Sequence, residues 1–295
     1  MTSGYEQQKA TLRVDQNWRD WKITGALDGS HLNQQTAGYI QGKNTYKNNE
    51  LRRENPNPEA YRDAWSLRGN LGLIREWDNS KIIIRPYLRA NKMSFLQHYL
   101  PWQATETNQH KSLGLQISAR GKSGQLHWLG GMDLDHTSGE LLEVQNSAFS
   151  PNHPKGTHYD YHVAATMIAA FGHLNLNLKN NWRIETGIRL EGTKFDYSTR
   201  IAPGTVCLPS ASACRFYRPE NREDSFTDWS GNLAFSRSLS NGLIYLRAAR
   251  GFRTPQATEL YRLQSGQTVA EIDSERIHSI EIGLRGLAGA AAHYD

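Results

Sequence analysis

The residues best able to do chemistry fall in a few short stretches. In HYDYH, His158, Asp160 and His162 alternate, so on an extended strand they share one face. Imidazole and carboxylate together can ligate a transition metal. The same row also suits the polar wall of a water-filled interior, and that reading is carried forward. In MDLDH, Asp133 and Asp135 share a face, where they can pair with arginines of neighbouring strands. Cys207 and Cys214 sit in one loop rich in Pro, Ser and Ala. Two cysteines so close suit a local disulfide in an oxidising compartment, with two free thiols as the alternative. No further ligands with zinc spacing lie near them. The segment RGFRTPQATELYRLQ, Arg250 to Gln264, ends an alternating strand with a proline and a short helical run. Pro255 removes a ladder donor and stops the pairing. Arg247, Arg250, Arg253 and Arg262 crowd this region with little charge to balance them, and Glu259 is spaced to pair with Arg262 at i, i+3. No Gly-x-Ser-x-Gly elbow, phosphate loop or His-Glu-x-x-His occurs. The expectation is therefore no catalytic residue, no resident metal and no cofactor.

The elements that must position these residues read as strands. The chain has 295 residues, 38% of them hydrophobic, and a net charge of +5. No apolar run is long enough for a membrane helix, but barrel strands need apolar residues only at alternate positions. The basic excess is spread along the chain rather than clustered, so nucleic acid is excluded as a partner. Period two dominates throughout, as in AWSLRGNLGLIREW, KIIIRPYLRAN and WRIETGIRLEG, and it yields about twelve strands. Short turns are expected at Asp78–Ser80, Gly121–Gly124, Lys179–Asn181 and Ser240–Gly242. Long polar loops are expected over 29–60, 92–110, 136–158, 198–224 and 251–278. Short turns at one end and long loops at the other are the layout of a membrane barrel. Arg13, Arg68, Arg85, Arg89, Arg120 and Asp133 then face a polar interior, and Trp21, Trp65, Trp77, Trp128, Trp182 and Trp229 form an aromatic girdle. The competing architecture is a secreted, soluble β-sandwich that binds carbohydrate through exposed tryptophans. The first residues lack the charged start and apolar core of a signal peptide.

One region narrows the choice. Gly251, Phe252, Arg253 and Pro255, then Glu259 and Leu260, then Ser274 and Glu275, then Ser279, Glu281, Gly283 and Arg285 form a spaced pattern. That pattern resembles the late-middle barrel of TonB-dependent outer-membrane receptors. The hairpin 171–197, with Gly187 and Arg189, is similar to another recurrent hairpin of that family. The resemblance implies an all-β, antiparallel, up-and-down transmembrane barrel with long extracellular loops and short periplasmic turns. It is incomplete here, with about 12 strands of about 22. Residues 1–295 are expected to be one partial barrel, an internal fragment without the plug domain and the C-terminal strands. The implied function is reception and TonB-energised import of a bulky ligand, foremost a ferric siderophore or other iron chelate. The implied partners are outer-membrane lipid and lipopolysaccharide, that ligand, and the TonB complex through a plug domain outside this chain. The implied state is a monomer in the outer membrane. Tyr39, Tyr46, His98, Tyr99, Trp102, Arg250 and Arg253 are the candidate ligand contacts, because aromatic and cationic groups suit bulky, anionic chelates. Gly251, Phe252, Arg253, Pro255, Glu259, Leu260, Glu275, Glu281 and Gly283 are expected to be structural, Arg253 thus standing in both sets.

Overall fold

The computed structural model describes residues 4–212, 214–264, 266–288 and 292–294. The alternating segments pair as consecutive antiparallel strands. These are β1 (Tyr5–Trp18), β2 (Trp21–Gln35), β3 (Tyr61–Trp77), β4 (Ser80–Leu96), β5 (Thr105–Ser123), β6 (Leu126–Gln145), β7 (Gly156–Asn177) and β8 (Trp182–Thr199). A two-stranded ribbon, β9 (Gly204–Thr205) and β10 (Tyr217–Arg218), stands in the next loop. Then come β11 (Arg222–Leu239), β12 (Gly242–Arg253), β13 (Glu275–Ala288) and β14 (Ala292–Tyr294). All but the ribbon form a single 12-stranded sheet in chain order, with β1 and β14 at its two ends. A β-sandwich needs two stacked sheets, so the sandwich reading falls.

The register sorts every strand into two faces. Leu12, Leu27, Leu71, Leu88, Leu113, Leu134, Ile168, Leu190, Leu233, Leu246 and Ile282 share one of them. These side chains are bare: Leu113 is 66% and Ile282 77% exposed. Such a face is stable only against lipid. Arg13, Arg68, Arg85, Arg89, Arg120 and Asp133 occupy the opposite, inner face, as expected. Trp21, Trp77, Trp128 and Trp182 edge the lipid face at its short-turn end, and Trp65 and Trp229 lie nearer the long loops. From Trp77 to Trp65 is about 40 Å of strand, or about 28 Å at a tilt of about 45°, close to the height of a barrel's apolar band.

Tight turns join strands at one end. Arg19 (φ 54°), Gly124 (φ 58°), Asn180 (φ 60°) and Asn181 (φ 61°) supply the left-handed conformations these turns need. The opposite end carries the connections 36–60, 97–104, 146–155, 200–221 and 254–274. They are shorter than expected, because the strands run on past the apolar band; β7 has 22 residues. Beyond the band both faces of a strand are polar. Hydrophobic alternation fades there while backbone pairing continues.

Candidate functional site

The candidate site is the inner face at the long-loop end, together with the connection 254–274 that folds back over it. β12 ends at Arg253, Pro255 follows, and α1 (Ala257–Tyr261) begins. A capping box starts this short helix: the Gln256 side chain accepts from the N3 backbone, and the Glu259 carboxylate accepts from the Gln256 N–H at 2.8 Å. α1 turns Leu260 and Tyr261 inward, where both are buried with Leu263. They join a core made of Leu141, Tyr159, Tyr161, Val163, Phe195 and Tyr197 from β6, β7 and β8, and of Phe216. Tyr261 stacks on Tyr197 with ring centroids 4.4 Å apart, and its hydroxyl donates to Asp224 at 2.8 Å. The Tyr159 hydroxyl donates to the Leu263 carbonyl.

The fold-back loop carries one cation into this core. The Arg262 guanidinium donates to Glu143 and lies 2.9 Å from Glu106, carboxylates directly opposite each other on β5 and β6. Gln97 donates to Glu106 at 2.6 Å, and His158 lies 3.0 Å from Glu143. The other His158 nitrogen faces the Pro154 carbonyl at 2.9 Å. Both ring nitrogens thus face oxygen atoms. Burial pulls the Arg262 pKa down, but Glu143 and Glu106 more than offset it, and the net shift is upward. Two carboxylates, one guanidinium and one imidazole meet within one buried cluster.

The candidate contacts scatter. Tyr39 and Tyr46 stand in the first long loop, each 67% exposed, and Lys47 lies over the Tyr46 ring. His98 and Tyr99 meet edge to face, with Tyr99 exposed. Trp102 is turned into the loops: it stacks on His153 at 4.2 Å, and Arg215 lies 4.8 Å above its ring. Arg250 is on the outward face rather than at the junction of lumen and loops, over the Trp229 ring at 4.1 Å and donating to its carbonyl. Arg253 bonds both Glu259 and Glu275. Glu259 therefore pairs with Arg253, not with Arg262 as its spacing suggested; the chain bends at Pro255 and brings Arg253 back onto α1. Cys207 and Cys214 are bonded, with their Cα atoms 5.4 Å apart.

The HYDYH row is split. A bulge shifts the β6–β7 register between Glu143 and Val144, leaving His158 unpaired between Thr157 and Tyr159. That extra residue turns His158 inward to Glu143. Asp160 and His162 stay on the outward face, where Arg200 lies 3.7 Å from Asp160 and Ser138 bonds His162. The three do not form one lumen row, and among the described residues no His, Cys, Asp and Glu group could hold a metal. Asp133 and Asp135 face inward and pair with arginines, though from two strands away rather than from adjacent strands: Arg189 of β8 is 2.6 Å from Asp133 and Arg89 of β4 is 2.7 Å from Asp135.

Two glycines of the inner face have a steric reason. A Cβ at Gly283 would overlap the Tyr245 ring, and one at Gly114 the Tyr87 ring. Each tyrosine lies across its glycine and donates its hydroxyl to a carboxylate, Glu281 or Asp135.

Sequence reasoning singled out Arg262 but gave it the wrong partner, and it missed Glu106, Glu143 and Gln97. Arg262 and Glu143 are 119 residues apart, so no local spacing marks the pair. The one available sign was Glu106 and Glu143 at polar ends of neighbouring strands.

Solved structures share this architecture. The ferric yersiniabactin uptake receptor of Yersinia pestis superposes with a TM-score of 0.70 at 15% identity, over 97% of this chain and 43% of its own. A copper transporter gives 0.71 at 13%, over 97% and 44%. The ferric citrate transporter in its unliganded form gives 0.72 at 13%, over 98% and 42%. The chain thus spans less than half the length of these three structures. At such identities the likeness is one of fold. No curated protein matches the sequence significantly. Residues 2–294 match the model described as TonB dependent receptor-like, beta-barrel. The meander, the lipid-facing and polar faces and this match agree, and the chain belongs to the TonB-dependent receptor-like β-barrel family.

Proposed function

We propose that this chain forms part of the wall and mouth of an outer-membrane receptor that imports a bulky ligand, foremost an iron chelate, with energy delivered by TonB. The observation that carries the reading is the fold-back loop. It crosses the inner face from β12 to β5 and β6 and roofs a cleft of about 740 Å³ beneath α1. A wall of this kind suits a protein that takes its ligand from the long-loop side and holds it before passage. The uptake receptor for ferric yersiniabactin and the transporter for ferric citrate support iron chelates as the class; the copper transporter keeps a second metal cargo in view. Tyr39, Tyr46, His98 and Tyr99 remain proposed first contacts, being aromatic groups on the long-loop side; Arg253, held by Glu259 and Glu275, is proposed as a scaffold for them. A plug domain and further strands beyond β1 and β14 are proposed to complete the barrel of a monomer, with lipid and lipopolysaccharide around its apolar face. The test is cellular uptake. The gene carrying this chain, in a host lacking its own iron receptors, is expected to support accumulation of radioactive iron from ferric citrate or a ferric catecholate. That accumulation must vanish when TonB is deleted. Accumulation independent of TonB, or none from any ferric chelate, refutes the proposal.

A further inference from the structure

The strand register arranges the inner face in layers, and two adjacent layers lack charge from β2 to β7. Directly paired positions run Leu32, Ala64, Met93, Asn108, Leu141, Tyr161 across β2 to β7. The next layer toward the short turns runs Ser30, Ser66, Asn91, His110, Gly139, Val163. Its polar groups largely satisfy one another: Ser30 bonds Ser66 at 2.8 Å, and His110 lies 3.3 Å from Asn91. Charge returns on both sides. Above lie Arg62, Glu106 and Glu143; below lie Asp28, Arg68 and Arg89. In the upper layer Glu106 and Glu143 are occupied by Arg262.

A barrel interior is ordinarily polar, so an apolar belt there calls for a reason. Its β6–β7 end, Leu141, Tyr161 and Val163, is the edge of the buried core, whereas Leu32, Ala64 and Met93 toward β2 are only half-buried and open onto the cleft. Ala257 of α1 forms its roof and Ala165 and Phe195 extend its floor, together lining the cleft of about 740 Å³. That volume is that of a small-molecule pocket with mostly apolar walls and a few hydrogen-bonding groups; of the charged residues that border it, Glu106 is held by Arg262, Glu140 by Arg200, and Lys92 stands on the outward face. We infer that this belt is a binding subsite for an uncharged, apolar or aromatic portion of a ligand, with Asn108 and His110 as its hydrogen-bonding groups. A charged group placed there would lose hydration and meet no free counter-charge from β2 to β7; the charges that continue the lower layer, Lys9 of β1 and Arg222 of β11, do not line the cleft, and Arg222 is paired with Asp224. The arginines therefore do not set the charge of the group that rests beneath α1. The inference rests on the receptor reading only in that a ligand enters from the long-loop end.

Two near-isosteric probes test it on the full chain refolded into phosphatidylcholine nanodiscs. N-phenyl-1-naphthylamine is neutral, and 1-anilinonaphthalene-8-sulfonate adds one sulfonate. The signal counted is the fluorescence that Val163→Trp, which fills the cleft, removes. The neutral probe is expected to bind at least tenfold more tightly. Met93→Lys is expected to weaken it about fivefold or more and to strengthen the sulfonate, a reversal that general misfolding cannot produce. Equal affinities, a preference for the sulfonate, or indifference to both substitutions overturns the inference. Iron uptake is scored separately. Uptake retained without the probe preference defeats the subsite alone; the preference retained without uptake defeats the import reading alone.

Discussion

Replacing Arg262 by methionine should open the fold-back loop without unfolding the sheet. Arg262 is the one cation that the loop inserts between Glu106 and Glu143, whose side chains are 7% and 1% exposed. Its loss leaves two facing carboxylates with His158 beside only one of them. Removing one partner of a buried ion pair typically costs about 3–5 kcal/mol. Arg262 is 29% exposed and one carboxylate can relax by taking a proton, so the lower end, about 3 kcal/mol, applies. At about 1.4 kcal/mol per decade, that raises the open population about a hundredfold. The cost falls on the loop, because the strands keep their ladders to both neighbours. Hydrogen exchange of the refolded chain is the assay. Amides of 256–263 should exchange about a hundred times faster, and those of β6 and β7 within the apolar band should not change. Adding Glu143→Gln should restore much of the protection, since it removes one of the stranded charges. A rise below about fivefold, or equal loss of protection in the band, would refute the reasoning.

Other outcomes follow from the same structure. Burial first, then Arg215 and His158, hold His153 below the ordinary histidine range. The neutral stack on Trp102 should be complete above pH about 6.5 and be lost as pH falls through the lower folded value. Acid-induced quenching of Trp102, taken as the difference from Trp102→Phe, should vanish in His153→Phe. Replacing Cys207 and Cys214 by serine removes a short cross-link worth about 2.5 kcal/mol by loop entropy. Limited proteolysis should then cut within 200–221 while the heat-modifiable gel shift of the folded sheet stays as before. Ile168→Arg, on the lipid face of β7, should lower stability in urea-titrated liposomes by about 2–4 kcal/mol. Gln116→Arg, on the inner face of β5, should cost less than about 1 kcal/mol in the same titration.

Alternation along each strand determined the sheet. Leu67, Leu71 and Leu73 against Ser66, Arg68 and Asn70 are legible as two faces without any structure, because side chains alternate on every extended strand. The turn residues and the Gly251-to-Gly283 pattern were local too, and they placed the chain in its family. Even the disulfide needed only two cysteines within one loop. What the sequence could not carry was anything decided between strands. The bulge that turns His158 away from Asp160 and His162 depends on a register between β6 and β7 that neither strand encodes alone. Arg262 finds Glu106 and Glu143 only because a folded-back loop crosses the inner face. Arg250 looked like its neighbour Arg253, but it stands three residues before that arginine, on the opposite face of β12. The uncharged belt belongs to six strands at once, two residues from each, and exists only in their common register. Local periodicity follows from backbone geometry and is written residue by residue; long-range pairing follows from the summed hydrogen bonds of whole strands, and it decided the site.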